Sequence, residues 1–137
     1  MATLKISDLS VGDWVRWKVY DKTYDICISQ ITDILVRGVH EGIEYGMKMT
    51  QMSPIPITAE ILEKNGFENM GSGLMRYEFE LREKKYKIIL GSLDEEVWFA
   101  DFYFMRKKNI NSNIPLFYIH QLQHILRLAG VEKEFNL

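Results

Sequence analysis

Two histidines stand four residues apart in the C-terminal segment IPLFYIHQLQHILRLAG, residues 114–130. Side chains at positions i and i+4 lie on one face of a helix, so His120 and His124 have the spacing of a metal-binding pair. A zinc site also needs a third ligand and partners that orient each imidazole. The only other histidine is His40, in a region that reads as a β-turn, and no H-E-x-x-H motif occurs. The sequence therefore predicts no metal and no cofactor, and a metal-dependent enzyme using His120 and His124 is the least favoured alternative.

The helical phase of this segment separates an apolar side from a polar one. At about 100° per residue, six apolar side chains form an arc of about 120° that a sheet would bury. These are Tyr118, Ile119, Leu122, Ile125, Leu126 and Ala129. His120, Gln123, His124 and Arg127 fall on the opposite side, which predicts an exposed polar surface. We expect His120, Gln121 and Gln123 to contribute to partner binding there, and His124 to be a bystander.

The composition is that of an ordinary globular domain. The chain has 137 residues, of which 47% are apolar and 26% are charged. It is long enough for one domain, or for two small lobes that share a core. A net charge of −2 lacks the basic excess that is typical of a dedicated nucleic-acid binder. Cys27 is the only cysteine, which excludes an intrachain disulfide and a thiolate zinc cluster.

No stretch of the sequence has the length and hydrophobicity of a membrane segment. The N-terminal residues MATLKISDLSVGDWV lack the apolar region of a signal peptide. No apolar run approaches the roughly 20 residues that cross a bilayer. We expect a cytoplasmic protein that does not contact membranes, and no catalytic motif indicates an enzyme.

The first third of the chain has the alternation of β-strands. In DWVRWKVY, residues 13–20, the apolar Val15, Trp17 and Val19 alternate with Trp14, Arg16 and Lys18. Residues 24–39 are rich in β-branched side chains. Gly38 and Gly42 are expected to bracket a turn, and the alternation of side chains resumes over residues 43–49. Short strands joined by tight turns predict an SH3-like small β-barrel or sheet over residues 1–53.

A short linking helix is predicted within SPIPITAEILEKNGF, residues 53–67. Pro54 and Pro56 favour extended backbone, and Thr58 is a suitable N-cap. Glu60 falls in the first turn, and Gly66 supplies the left-handed residue that ends the helix. Both ends of the helix are therefore defined by the sequence.

The remaining chain predicts a three-stranded antiparallel meander packed by the C-terminal helix. Its strands are expected at 74–81, 86–90 and 96–104, followed by a polar loop over 105–115. The fold class is therefore α+β. It comprises an N-terminal lobe over 1–53 and a helix–meander–helix lobe over 54–137, which together form one compact unit.

Aromatic side chains next to basic ones suggest a second function. Trp14 shares a predicted strand face with Arg16 and Lys18, and basic residues follow Tyr103 and Phe104. The basic residues are Arg106, Lys107 and Lys108. Aromatics interleaved with cations are how β-platforms bind single-stranded nucleic acid. Convergence of these two groups on one face would indicate a nucleic-acid-binding accessory protein.

Three segments resemble one family in the same order along the chain. LSVGDWV, SPIPITAEILEKNGFE and YIHQLQHILRLAGVE are similar to a family of small uncharacterised proteins of gut Bacteroides-type bacteria and their phages or mobile elements. That family's patterns are I-G-N-W-V, then P-I-P-L-T-E-E-I-L-L-K-N-G-F, then V-H-Q-L-Q-N-L-Y-F-A-L-T-G-E-E-L. Residues 120–123 match its H-Q-L-Q, whereas His124 stands where the pattern has Asn.

The resemblance implies an origin in a phage or mobile element, and it implies no activity. Together with the missing catalytic motifs, it favours a non-enzymatic binding or interaction module. We expect its partner to be a protein, a second copy of the chain in a homodimer, or nucleic acid.

Overall fold

The structure is a computed structural model that describes residues 4–33, 35–104, 107–111 and 115–137. Across these ranges the strands form two five-stranded antiparallel sheets, accompanied by two α-helices. The chain divides into two compact units. The first comprises Met1–Ile55, Tyr118–Gln123 and Leu137, and the second comprises Pro56–Phe117 and His124–Asn136. The predicted α+β class is confirmed.

The first unit is built on a sheet with the strand order β4-β3-β2-β1-β5. Its strands are β1 (Trp14–Val19), β2 (Lys22–Ile31), β3 (Val36–His40), β4 (Ile43–Met47) and β5 (Met52–Pro54). Short 3-10 helices cover Ile6–Asp8 and Met49–Gln51. The last strand returns to the first, so that Arg16 lies opposite Ser53. As far as the described residues extend, the sheet does not close into a barrel.

The predicted alternation of β1 is confirmed by its burial. Val15 and Trp17 are buried, whereas Trp14 and Arg16 are half-buried and Lys18 is exposed. The buried side chains belong to one hydrophobic cluster with the neighbouring strands. The cluster consists of Leu4, Leu9, Val15, Trp17, Ile26, Ile28, Val36, Met47 and Met52. Burying these side chains on one face supplies the main driving force for this sheet.

Gly38 was expected in a turn, but it lies inside β3, where it pairs with Tyr45. Gly42 does occupy the turn, with a φ of 78°. A Cβ atom on Gly38 would lie 2.7 Å from Cγ1 of Ile26 and 2.8 Å from Cε of Met47. The absence of a side chain at Gly38 thus lets two core side chains occupy that space.

The second unit contains a sheet with the strand order β10-β9-β8-β7-β6. Its elements are α1 (Ala59–Lys64), β6 (Glu68–Gly71), β7 (Leu74–Leu81), β8 (Lys84–Gly91), β9 (Phe99–Phe104), β10 (Lys107–Asn111) and the C-terminal half of α2 (Ile119–Leu128). The predicted meander forms the three central strands. The prediction of a loop over 105–115 was wrong for 107–111, because a polar strand at a sheet edge carries no apolar alternation.

The linking helix α1 is confirmed at both ends. The Thr58 hydroxyl accepts a hydrogen bond from the backbone N–H of Ile61 at 3.2 Å. Gly66 has a φ of 88°, and the N–H of Phe67 donates back to the carbonyl of Leu62. This is the capping expected from residues of these types at these positions.

Hydrogen bonds in the core of the second unit connect buried side chains to the backbone of segments distant in the sequence. Trp98 is buried, and its indole N–H donates to the carbonyl of Ile57 at 3.3 Å. The buried side chain of Asn65 donates to the carbonyl of Asn136 at 3.0 Å and accepts from its N–H at 2.7 Å. Leu126, Val131 and Phe135 are buried near the C-terminus. Neither described helix combines the length and hydrophobicity needed to cross a bilayer.

Replacing Gly38 with alanine tests the packing of the first sheet. We expect Gly38→Ala to lower the free energy of unfolding by about 1–3 kcal/mol, because the new methyl group overlaps Ile26 and Met47. Gly46→Ala in the same hairpin is the matched control, since its Cβ would lie 3.6 Å from Leu35. Urea denaturation measures both, and equal stabilities of the two variants would contradict this account of Gly38.

Candidate functional site

Five ring-bearing side chains of the first unit line a pocket of about 450 Å³. Four of them lie on the strands, with Trp17 on β1, Tyr24 on β2, His40 at the end of β3 and Tyr45 on β4. The fifth is Tyr20 in the β1–β2 hairpin, which also supplies the remaining lining residues Val19, Asp21 and Lys22. This volume and this mixture of aromatic and polar groups lie in the range of small-molecule and side-chain binding sites.

The sheet register brings these rings to one face. Trp17 is directly opposite Tyr24 in the β1–β2 pair. Tyr45 is opposite Gly38 in the β3–β4 pair. Because directly opposed residues in an antiparallel pair project to the same side, each ring follows the apolar face of its own strand. The pocket is therefore the end of the hydrophobic face where aromatic residues replace aliphatic ones.

The rings of Tyr24 and Tyr45 are tilted relative to the indole of Trp17 and do not stack parallel to it. Its ring centroid lies 5.9 Å from that of Tyr24, with 39° between the planes. The centroid of Tyr45 lies 5.3 Å away at 43°. Tyr24 meets His40 edge to face, with a centroid distance of 5.0 Å and an angle of 62°. Such tilted contacts are favourable for aromatic pairs.

Trp17 is fixed by a hydrogen bond as well as by packing. The side chain is only 9% exposed, so its indole N–H needs a protein partner. The side-chain oxygen of Gln51 accepts this hydrogen at 3.2 Å, and it also accepts from the N–H of Lys48 at 3.1 Å. The 3-10 helix before β5 thus holds the largest ring of the pocket.

His40 is held in one tautomer by the backbone. Its Nδ1 lies 3.2 Å from the carbonyl oxygen of Asp25. A carbonyl oxygen can only accept, so the hydrogen of a neutral His40 lies on Nδ1. Nε2 lies 3.9 Å from a carboxylate oxygen of the exposed Glu41. Both ring nitrogens of His40 therefore have defined neighbours.

Tyr20 forms the outer rim of the pocket. It occupies the two-residue turn between β1 and β2, with a φ of 54°, and its side chain is 93% exposed. Asp21 and Lys22 follow it and are exposed. The rim thus offers one ring, one carboxylate and one ammonium group to a ligand.

The polar residues predicted on the exposed face of the C-terminal helix lie elsewhere. His120 and Gln123 are each only 4% exposed, so the prediction of an outer face was wrong for both. The ring of His120 stacks with that of Tyr118 at a centroid distance of 5.9 Å. Gln121 is half-buried, and its side-chain oxygen accepts from the N–H of Tyr118 at 3.1 Å. His124 is half-buried as well.

Gln123 has a structural task within the first unit. Its side-chain oxygen accepts from the N–H of Trp14 at 2.9 Å. Its side-chain nitrogen donates to the carbonyl of Gly12 at 2.8 Å. One buried amide thus satisfies two backbone groups at the start of β1, which explains its burial better than a role in partner binding.

The basic and aromatic residues of β1 share a face as predicted, but Arg16 is partly neutralised. Its guanidinium Nε lies 3.2 Å from a carboxylate oxygen of Asp25. Arg106 lies outside the described residues, and Lys107 begins β10. The predicted convergence of Trp14, Arg16 and Lys18 with 106–108 therefore falls outside what the structure describes.

Titratable groups elsewhere make local contacts. Within residues 4–33, 35–104, 107–111 and 115–137, no group of three His, Cys, Asp or Glu side chains could hold a metal ion. Hydrogen bonds from Ser29 and Arg37 lower the pKa of Glu44. Burial lowers the pKa of Lys133, whose Nζ lies 4.5 Å from the ring centroid of Tyr77 in the second unit. The second unit thus contains a cation that rests on an aromatic ring.

The pocket residues were not singled out as a group by the sequence. Trp17 and Tyr45 were assigned to the apolar pattern of their strands, and His40 to a turn. A usable signal was present, since Trp17, Tyr20, Tyr24, His40 and Tyr45 all lie close to the β1–β2 or the β3–β4 turn. Successive turns of an antiparallel meander alternate between its two ends, so these two turns lie at the same end.

Comparison with known proteins assigns no family to the chain. No protein-family model, no curated protein and no solved structure matches it. The functional inference therefore depends on the geometry and chemistry of the pocket.

Replacing Gln123 tests its structural assignment. We expect Gln123→Ala to lower the free energy of unfolding by about 2–4 kcal/mol, because it leaves the Trp14 N–H and the Gly12 carbonyl unpaired. Gln121→Ala on the same helix should cost about 1 kcal/mol, since it removes one hydrogen bond at the helix start. Chemical denaturation measures both, and a Gln123→Ala protein as stable as the parent would overturn the assignment.

Proposed function

We propose that this chain is a non-enzymatic binding module and that it recognises its ligand in the aromatic pocket of the first unit. The observation that supports this most is the grouping of Trp17, Tyr24, His40 and Tyr45 around one open volume. Large aromatic side chains on a soluble protein usually lie in the core. Rings that line an accessible pocket are typical of binding sites, where they offer a large contact area at little cost in side-chain entropy.

The topology of the first unit supports a comparison with SH3-like folds. Five short antiparallel strands follow one another, a 3-10 helix precedes the fifth, and the fifth pairs with the first. We propose that the unit is an SH3-like module on this basis. Such small β-scaffolds carry many unrelated functions, so the ligand must be argued from the pocket itself.

The hydrogen bonds around the pocket favour binding over proton transfer. Gln51 fixes the indole of Trp17, and the Asp25 carbonyl fixes the tautomer of His40. The rings are therefore oriented before a ligand arrives, which reduces the entropy lost on association. Rings that are already oriented can contact a ligand without first rearranging.

Nucleic-acid binding has weaker support. Trp14, Arg16 and Lys18 do share the outer face of β1, but Arg16 is already paired with Asp25. The proposed origin in a phage or mobile element depends on the sequence resemblance alone. A protein partner or a homodimer is compatible with the pocket, since either would need to insert a side chain into it.

A ligand screen with isotope-labelled protein tests the proposed pocket. Peptides and small molecules that bind should shift the amide signals of residues 17–24 and 40–45 in NMR spectra. Tyr20→Gly and Tyr45→Leu should each weaken binding about tenfold, which corresponds to about 1.4 kcal/mol. Tyr20→Gly is informative because it removes a ring from a positive-φ position that glycine adopts without strain.

Arg82→Gly is the matched control, since Arg82 has a φ of 50° in a turn of the second unit. It should leave the ligand affinity unchanged. Ligands that shift only other regions, or that bind the pocket variants as tightly as the parent, would contradict the proposal. Oligonucleotide binding that weakens with salt and with Lys18→Ala, but not with Tyr45→Leu, would favour the nucleic-acid alternative.

A further inference from the structure

We infer that the group which enters the aromatic pocket is a quaternary alkylammonium, presented either by a small molecule or by a methylated lysine side chain. This inference rests on the proposed function, because it names the ligand class of the same pocket. It follows from the arrangement of the rings, from the charges at the rim and from the way in which the rings are fixed.

The arrangement of the rings favours a cation. The face of an aromatic ring carries negative electrostatic potential, and tryptophan attracts cations most strongly. Tyr24 and Tyr45 are inclined to Trp17 by 39° and 43°, and all three rings line the same pocket. An alkylammonium group within this pocket contacts several ring faces at once. An anion in the same place would meet the wrong sign of potential on each ring.

The charges at the rim are compatible with this choice. Asp21 is the carboxylate among the lining residues, and Lys22 is the ammonium group. Glu41 adds a second carboxylate beside His40, with a carboxylate oxygen 3.9 Å from Nε2. Lys22 is exposed and has a long flexible side chain, so it can turn toward water when a cation binds. The one carboxylate among the lining residues is thus balanced by a mobile ammonium, and Glu41 adds a negative charge next to His40, so these charges do not oppose the binding of a cation.

Alkylation of the cation matters because the interior of the pocket is mainly aromatic. A primary ammonium is strongly hydrated and would lose hydrogen bonds to water on entering. A quaternary ammonium has no N–H group to satisfy, and its methyl groups make dispersion contacts with the rings. The preorganised Trp17 and His40 make these contacts without first being ordered.

Four probes separate the charge of the ligand from its shape and its source. They are choline, an acetylated and amidated trimethyl-lysine, its neutral isostere with carbon in place of the quaternary nitrogen, and the unmodified lysine derivative. NMR titration of the full chain to about 10 mM detects binding, since even a ligand with a Kd of about 1 mM would occupy most sites at that concentration. We expect trimethyl-lysine to bind about tenfold or more tightly than its neutral isostere and than unmodified lysine.

Substitutions locate the effect in the pocket. Tyr45→Leu should weaken binding of the cationic probes about tenfold and change binding of the neutral isostere less. Lys22→Glu should strengthen their binding about threefold, because it replaces a positive charge at the rim with a negative one. Lys85→Glu is the matched control, since Lys85 is an exposed lysine of β8 in the second unit. It should leave the affinity unchanged.

The outcomes distinguish this inference from the proposed function. Equal affinity for trimethyl-lysine and its neutral isostere would overturn the inference and would leave a binding pocket for apolar groups. No shift with either quaternary ammonium probe, choline or trimethyl-lysine, would also overturn it, whereas the ligand screen described above would still decide the proposed function. Tighter binding of trimethyl-lysine than of choline would identify a protein side chain as the source, and the reverse would identify a small molecule.

Discussion

The indole of Trp17 is the feature on which the first unit most depends. It is large and only 9% exposed, so both its apolar surface and its N–H must be accommodated inside the protein. Alternation along β1 directs it to the apolar face, and Gln51 satisfies its N–H. Tyr24 and Tyr45 then pack against the ring from the neighbouring strands. The same side chain that completes the core therefore forms the floor of the pocket, so a change at Trp17 would affect stability and binding together.

Buried amide side chains perform the same task in each unit. Gln123 satisfies the backbone of Gly12 and Trp14 in the first unit. Asn65 satisfies the backbone of Asn136 in the second, and its side chain also donates to the carbonyl of Ile61. An amide carries both a donor and an acceptor, so it can replace a stretch of sheet pairing where two segments meet irregularly. Removing either partner would leave buried polar groups unpaired, which makes these positions sensitive despite being polar.

The sequence predicted correctly those elements that depend on residues close together along the chain. The alternation of β1 and the caps of α1 are properties of neighbouring residues, and both were confirmed. β6 was not predicted because all four of its residues are exposed, so it shows no apolar pattern. The exposed face predicted for the last helix was wrong because Gln123 is buried by hydrogen bonds to residues more than a hundred positions away. The pocket likewise depends on strand register, which brings together residues from four strands that no short motif contains.

Tyr20 shows how the fold and the pocket are connected through one turn. Positive φ values are uncommon for residues with a side chain, and two-residue hairpin turns usually place Gly, Asn or Asp there. Among the described non-glycine residues, other positive-φ positions carry charged or small side chains, such as Glu41, Ser72 and Arg82. Tyr20 is instead a bulky aromatic residue at such a position. Its ring is 93% exposed and therefore contributes little to the packing of the core. A backbone cost without a packing gain agrees with the proposed binding role of the pocket, whose rim this ring forms.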